Sequence, residues 1–255
     1  MIAVQLYTLR SLLTDPARLG DVLGRLREIG YETVEVAGLG PATVDRFGEE
    51  LARAGLNACA VHVDLDRLVS DLDAVVEECN TWRCDYVVVP AIPESYRSEH
   101  GYRHFGAEAT AIALRLREHG LRLAYHNHAF ELERYDGQTG LEMIFASAKR
   151  DALTAELDTY WLQFGGVNPA TWIRRFKDRL PLVHLKDMAI LNGDPVDAEI
   201  GEGNLDWVEI LGACRDAGTR WLVVEQDDPR RDPLEAVAIS YRNLARMVSG
   251  VEARR

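Results

Sequence analysis

The chain has 255 residues, of which 47% are hydrophobic and 27% are charged, a composition typical of a folded protein and too apolar for intrinsic disorder. With 29 Lys and Arg against 41 Asp and Glu, the net charge is −12, which disfavours general nucleic-acid binding. The longest apolar runs are too short for a membrane helix, and the opening residues lack the pattern of a secretory signal peptide.

Four cysteines occur without a CxxC pair, and we expect them to be reduced, buried thiols. Such thiols are typical of a cytoplasmic protein. The sequence therefore predicts an acidic cytoplasmic protein that binds neither membranes nor nucleic acid.

Short apolar runs alternate with amphipathic helices along the whole chain. Asp15 and Pro16 begin the first helix and Gly30 ends it, and the last helix is expected at about 234–248. Val and Ile are prominent in the runs, as in buried parallel strands joined by helical crossovers. The eight runs span 2–7, 33–37, 57–63, 86–91, 121–128, 153–157, 182–185 and 221–225.

Alternating strands and helices form either an open sheet or a closed barrel. About eight units fit the length of a (β/α)8 domain, and no GxGxxG fingerprint follows the first strand. The sequence also has no linker or change of composition that would divide it. We therefore expect a single TIM barrel over residues 1–255, with its active site at the C-terminal ends of the strands.

Ionisable and polar residues occupy the ends of most of the predicted strands. Unpaired charges cost several kcal/mol in a buried strand, so a set of carboxylates and imidazoles that converge at one end indicates a divalent-metal site. The residues in question are Gln5, Tyr7, Glu35, His62, His126, His128, Glu131, Asp158, His184, Lys186, Asp187, Glu225 and Asp227.

Each of the three strongest candidates also has a structural interpretation. His184 alone could be a hydrogen-bonded core histidine, Glu225 a buried ion-pair partner, and Asp158 a helix cap. Three consecutive strands that each end in a ligand-type residue favour the metal site.

Several motifs together resemble the sugar phosphate isomerase/epimerase group of the xylose isomerase-like TIM barrels. LDTYW at 157–161, RLPLVHLKDM at 179–188, GEGNLDW at 201–207 and VVEQD at 223–227 occur in one order, with AYHNHAFELE at 124–133 and VQLYTLR at the start. The resemblance covers essentially the whole chain. It implies one divalent ion (Mn, Mg, Co or Zn) and a small sugar or cyclitol substrate.

By position, the family's metal ligands correspond to Asp158, His184 and Glu225. Many members carry the fourth ligand, a glutamate, at the end of the fifth strand, where this chain has His126. Either Glu131 or His126 could be the fourth ligand, and we expect Glu131. Trp161 stands where several ketose epimerases have a substrate-binding histidine, and it would form a stacking wall for a sugar ring.

The resemblance implies an isomerase or epimerase that removes a proton next to a carbonyl and forms an enediolate. Glu131 and Glu225 would be the general bases, and Lys186 would stabilise an oxyanion or assist a leaving hydroxyl. The remaining strand-end residues would bind substrate hydroxyls: Gln5, Tyr7, Glu35, His62, His126 and His128.

Three other functions remain open. A dehydratase of the inosose or dehydroshikimate type would use the same site; an endonuclease IV-like repair enzyme and a non-catalytic sugar-binding barrel are less expected. No glycine loop that would cradle a phosphate follows strand seven or eight, which favours a non-phosphorylated substrate. Exposed barrel helices could pair in a homo-oligomer.

Overall fold

A computed structural model describes residues 1–37, 40 and 42–252, with side chains described to residue 249. Eight parallel strands form a closed barrel in chain order, because the first strand pairs with both the second and the last. This confirms the TIM barrel predicted from the sequence. The barrel strands are β1 Ile2–Gln5, β2 Thr33–Ala37, β3 Asn57–His62, β4 Tyr86–Val89, β5 Arg122–His126, β6 Leu153–Asp158, β7 Leu182–Leu185 and β8 Trp221–Val224.

Helices connect the strands on the outside of the barrel. Their ends follow local chemistry: the Thr43 and Ser98 side chains accept hydrogen bonds from the first turns of α2 and α5, and Gly30 ends α1 with a φ of 124°. The helices are α1 Leu19–Ile29, α2 Val44–Ala54, α3 Leu65–Ser70, α4 Leu72–Trp82, α5 Glu99–Glu118, α6 Gly140–Ser147, α7 Thr159–Phe164, α8 Pro169–Arg175, α9 Trp207–Ala217 and α10 Pro233–Glu252.

Two apolar clusters form the core. The larger one lies between the strands and the helices. The smaller one fills the inside of the barrel with side chains such as Tyr86, Leu182 and Trp221. Because side chains alternate between the two faces of a strand, the inward positions beyond this small cluster lie at the C-terminal ends of the strands.

Two antiparallel hairpins, Arg134–Tyr135 with Gln138–Thr139 and Asp187–Leu191 with Asp194–Ala198, follow β5 and β7. Neither hairpin was expected from the sequence. Among the helices described, none combines the length and the apolar character that a membrane span would require.

Candidate metal centre and active site

The inward positions change from apolar to ionisable along the last four barrel strands. On β8, Trp221 and Val223 belong to the interior cluster, and Glu225 follows at the next inward position. On β7, Leu182 is followed by His184 in the same way. The C-terminal mouth of the barrel is therefore lined by buried ionisable side chains, as the sequence predicted.

Four of these side chains form a group that could hold a metal ion. His126, Asp158, His184 and Glu225 each offer one ligand atom, and these atoms all lie within 4.8 Å of one another. All four residues are at most 5% exposed. The group contains Asp158, His184 and Glu225, which we expected as ligands, and its fourth member is His126.

The unpaired atoms of this group fit a cation. Oδ2 of Asp158 and Nδ1 of His126 are buried and have no hydrogen-bond partner among the described residues. A buried oxygen or nitrogen without a partner costs free energy, and a metal ion would satisfy such atoms. Two imidazoles and two carboxylates are also ordinary ligands for a divalent ion.

Two carboxylates contact the His184 ring, one at each ring nitrogen. Oε2 of Glu35 lies 2.5 Å from Nε2 of His184, and Oε2 of Glu225 lies 2.8 Å from Nδ1 of the same ring. The amide of Gln5 donates to Glu35 over 3.1 Å. Gln5 and Glu35, which we expected to bind substrate, therefore fix the orientation of the His184 ring.

Glu156, on β6, occupies the centre of a group of three imidazoles. Its Oε2 lies 2.9 Å from Nε2 of His62, 3.2 Å from Nε2 of His184 and 3.4 Å from Nδ1 of His126. Glu156 is fully buried, and these four residues form a second group with metal-ligand geometry. His62 is thus linked to the ligand residues through Glu156.

Glu156 is not among the site residues predicted from the sequence, although the sequence contains a signal for it. Glu156 precedes Asp158 by two residues, so both side chains point into the barrel. An acidic residue at an inward position of a buried strand needs a partner as much as one at the strand's end.

Burial disfavours the charged form of all four candidate ligand residues; neighbouring positive charges add to this effect at His126, whereas opposite charges oppose it at the other three. Burial raises the pKa of Asp158 to about 7 and lowers the pKa of His126 well below its usual value. Burial also opposes the charges on His184 and Glu225. The mutual attraction of these two groups outweighs burial. Three carboxylates raise the pKa of His184, and the His184 imidazolium helps to lower the pKa of Glu225 to about 2.

Lys186 follows β7 and is fully buried. Its Nζ forms an ion pair with Asp227 and lies 4.0 Å from Oε2 of Glu225. Burial disfavours the ammonium charge, but Asp158, Glu225 and Asp227 outweigh it and raise the pKa of Lys186. The hydroxyl of Thr159 accepts a hydrogen bond from the backbone N–H of Lys186 over 2.9 Å, which connects the end of β6 to the end of β7.

The structure places Glu131 apart from the two groups with ligand geometry. It is fully buried, and its oxygens accept hydrogen bonds from the Tyr125 hydroxyl over 2.6 Å and from the backbone N–H of His128 over 2.9 Å. Glu131 thereby holds the segment after β5 in place. Burial raises the pKa of Glu131 to about 7.

Aromatic rings border the mouth on the side of β5 and β6. The centroid of the Trp161 ring lies 5.3 Å from that of His128, whose ring stacks on Phe130 at 5.7 Å. Trp161 and His128 are thus neighbours in a half-buried wall. Tyr7 is 42% exposed and packs against the Arg10 guanidinium instead.

Asp187 explains why the HLKD and GEGNLDW motifs occur together. Its carboxylate accepts hydrogen bonds from the backbone N–H groups of Gly201 and Gly203, and from Nε1 of Trp207 over 2.7 Å. The N–H groups of Met188 and Leu205 add two further hydrogen bonds. A Cβ at Gly203 would lie 2.3 Å from Oδ1 of Asp187, so only glycine fits this approach.

Comparisons with known proteins agree with this architecture. The family model described as the xylose isomerase-like TIM barrel matches residues 23–247. The chain is 27% identical to the rhizopine catabolism protein MocC of Rhizobium meliloti, over 91% of this chain and 82% of that protein. It is 22% identical to an inosose dehydratase of Geobacillus kaustophilus, over 88% and 84% of the two chains.

Solved structures share the fold. A sugar phosphate isomerase/epimerase of Parabacteroides distasonis superposes with a TM-score of 0.81 at 18% identity, covering 96% of this chain and 97% of that one. The IOLI protein, solved with a bound zinc atom, gives a TM-score of 0.76 at 17% identity and 98% coverage of both chains. The family match spans most of the barrel, including all four residues of the candidate metal centre, and the chain therefore belongs to the xylose isomerase-like TIM barrel family.

Proposed function

We propose that the protein is a divalent-metal-dependent enzyme that removes a proton from a carbon next to the carbonyl of a sugar or cyclitol. The observation that carries this proposal is the buried group of His126, Asp158, His184 and Glu225, in which Oδ2 of Asp158 has no hydrogen-bond partner among the residues that the structure describes. A bound divalent ion would polarise the carbonyl as a Lewis acid and stabilise negative charge on its oxygen.

Glu225 is the general base in this proposal. The pKa of Glu225 is lowered to about 2, so the residue is a carboxylate at neutral pH and can accept a proton. It lies at the mouth of the barrel beside the other ligand residues and is 5% exposed. A substrate carbon that approaches from the mouth would therefore meet Glu225 next to the carbonyl-binding position.

Dehydration is supported better than isomerisation or epimerisation. Inversion at one carbon needs bases on both faces of the substrate, and Glu131, the expected second base, is turned towards Tyr125 and His128. Lys186, in contrast, is a buried ammonium whose Nζ lies 4.0 Å from Glu225. This pairing of a base with an adjacent acid suits elimination of water, and three of the curated relatives are inosose dehydratases.

The elimination balances with these two groups. Glu225 accepts the proton from the carbon next to the carbonyl, the released electron pair forms the C=C bond, and the C–O bond to the β-hydroxyl breaks. Lys186 donates a proton to the departing hydroxyl, which leaves as water. Transfer of the proton from Glu225 to Lys186 then restores both groups.

Epimerisation remains the second candidate, because removal of the same carbon-bound proton by Glu225 is also its first step. Around the site, Trp161 and His128 would contact the substrate ring. We also propose a cytoplasmic location, since the four cysteines are buried and free.

Proton exchange and water loss can be measured separately on inososes and ketoses. In deuterated water, a dehydratase converts an inosose to a product with a new enone absorbance, whereas an epimerase incorporates deuterium without that absorbance. Lys186→Met should lower the rate of water loss by about 10²- to 10⁴-fold while exchange of the carbon-bound proton continues. The exposed Lys177, changed to Met, is the matched control and should leave both rates unchanged.

Glu225→Gln should abolish exchange and water loss together. Metal content, measured by mass spectrometry on the same sample, separates loss of the base from loss of the ion. Exchange at the wild-type rate in a metal-loaded Glu225→Gln variant would contradict the role of Glu225. Substrate binding without exchange in the metal-loaded wild type would instead indicate a sugar-binding barrel.

A further inference from the structure

A small hollow lies between α6 and α8 on the outside of the barrel. Its volume is about 270 Å³, which is less than the roughly 300–1,000 Å³ of sites for drug-sized ligands. The aromatic rings beneath it, Phe145, Trp172 and Phe176, are each at most 9% exposed. The hollow therefore suits a small ligand that contacts its polar lining.

The lining carries four cations, and among the described residues only one of them is paired with a carboxylate. Arg175 lies 3.1 Å from Glu142. Arg150, Lys177 and Arg179 also line the hollow, and no carboxylate oxygen in the described part of the chain lies within 4.0 Å of their charged nitrogens. In a chain with 41 acidic and 29 basic residues, this hollow is a local excess of positive charge.

Arg179 is the buried member of this group and is 9% exposed. Its guanidinium donates to the carbonyls of Leu153 over 2.7 Å, Phe145 over 3.1 Å and Lys149 over 3.5 Å. A guanidinium has five N–H donors, so two of them have no acceptor among the described residues. Burial and the neighbouring charge of Arg150 lower the pKa of Arg179 to about 10, as expected for a cation without an anionic partner.

The ends of two helices account for part of this positive charge. Both α6 and α8 end beside the hollow, and the C-terminus of a helix is equivalent to about half a negative charge. The two ends together therefore offset about one of the three unpaired cations. The charge that remains matches a dianion such as hydrogen phosphate, whose oxygens accept hydrogen bonds from guanidinium and ammonium groups.

We propose that Arg150, Lys177 and Arg179 form a binding site for a phosphate dianion, either free or as a phosphate monoester. The site lies at the N-terminal end of the barrel strands, since Arg179 donates to Leu153, the first residue of β6, and stands just before β7. The candidate metal centre lies at the opposite end of the same strands. The inference therefore does not depend on the proposed function.

Calorimetric titration with inorganic phosphate tests the site, with the ionic strength held constant by chloride. The wild type should bind one phosphate per chain, and Arg150→Gln should weaken binding by at least about fivefold, because a charge-assisted hydrogen bond is lost. Arg174→Gln is the matched control on α8, since this guanidinium is paired with Glu209 at 2.8 Å and with Asp216 at 3.9 Å. It should bind phosphate like the wild type.

Two further variants separate this site from the candidate metal centre. Asp158→Ala should retain phosphate binding, because the three cations need no metal ion. Lys177→Met should weaken phosphate binding by at least about threefold, while the reaction in phosphate-free buffer continues at the wild-type rate. Methyl phosphate, titrated in the same way, identifies the source of the ligand: tighter binding than inorganic phosphate indicates a monoester, and weaker binding indicates free phosphate.

Three results would overturn the inference. The first is a wild type without saturable phosphate binding. The second is equal weakening in Arg150→Gln and Arg174→Gln, which would indicate a response to net charge. The third is loss of binding in Asp158→Ala with binding retained in Arg150→Gln, which would assign the phosphate to the metal centre. None of these results concerns proton removal, which deuterium exchange measures separately.

Discussion

At the scale of single residues, Asp187 makes more hydrogen bonds than its place beside Lys186, the proposed acid, suggests. It is fully buried and accepts from four backbone N–H groups and the Trp207 indole. Hydrogen bonds from N–H groups to a carboxylate are charge-assisted and strong. Asp187 therefore connects the end of β7 to the loop before α9.

Asp187→Asn should destabilise the protein by about 2–4 kcal/mol. The amide NH₂ would face N–H groups that now meet a carboxylate oxygen, so buried donors would lose their acceptor. Urea unfolding measures the change. Asp194→Asn, at the exposed start of the second hairpin strand, is the matched control, and an equally small effect at both positions would contradict the role of Asp187.

Glu131 should make stability depend on pH. Burial raises its pKa from 4.5 to about 7, so between these values the folded protein holds a proton that the unfolded chain releases. The free energy of unfolding should therefore fall as pH rises from 4.5 to 7, with up to about 3 kcal/mol from this group.

Glu131→Gln isolates this contribution, because the amide cannot ionise. The Tyr125 hydroxyl can accept from the new NH₂ group, and the amide oxygen can accept from the N–H of His128. Urea titrations at pH 5 and pH 8 should show a smaller pH difference for the variant than for the wild type. Equal pH differences would mean that Glu131 titrates normally.

The choice between Glu131 and His126 as the fourth candidate ligand could not be made from the sequence alone. Asp158, His184 and Glu225 follow from the position of each at a strand end. The fourth member depends on the turn after β5, where Tyr125 and His128 capture the Glu131 carboxylate. The spacing of residues in the sequence cannot predict these two hydrogen bonds, because they depend on the three-dimensional path of residues 127–131.

At the scale of elements, α5 and α6 make a close helix contact. A Cβ at Gly106 would lie 2.4 Å from the carbonyl oxygen of Ile144 and 2.8 Å from Cβ of Ser147. Since both of these atoms belong to the packed segment around α6, the helices can approach this closely only with glycine at position 106.

Gly106→Ala should destabilise the protein by about 1–3 kcal/mol through overpacking. Gly24→Ala in α1 is the matched control, since a Cβ there meets nothing within 4 Å, and it should stabilise by about 0.5–1 kcal/mol. Thermal unfolding of the two variants should therefore shift in opposite directions. Shifts in the same direction would contradict the close contact.

The barrel elements were predictable, whereas the hairpins were missed despite local signals. Apolar runs locate the strands to within about two residues because burial on both faces leaves few polar positions in them. The hairpin turns contain Asn192–Gly193 and Asp136–Gly137, all four with positive φ. These dipeptides favour two-residue hairpin turns, but the flanking strands are short and polar and do not stand out as apolar runs.

At the scale of the whole molecule, the candidate metal centre places several carboxylates inside one barrel. Glu35, Glu156, Asp158 and Glu225 are all at most 5% exposed. Imidazolium and ammonium groups compensate this charge in part, and a bound dication would add to the compensation. The metal should therefore stabilise the folded protein as well as serve the reaction.

At a free Co²⁺ concentration of 100 times its dissociation constant, the metal should stabilise the protein by about 2.7 kcal/mol. Calorimetry of the wild type with the ion and with a chelator measures this difference. Asp158→Ala should remove the response to metal, whereas His119→Gln should retain it. A thermal midpoint that is independent of metal in the wild type would contradict the assigned centre.

Closure of the barrel between β1 and β8 depends on contacts between residues that are far apart in the sequence. The N-terminal amino group donates to the carbonyl of Arg220, 219 residues away, and Glu35 reaches His184 across 149 residues. Contacts this distant in sequence form late and slowly. The contact between Glu35 and His184 joins β2 to β7, so it forms only when the barrel has closed. We therefore expect a bound ion to meet a fully oriented His184 ring only in the closed barrel.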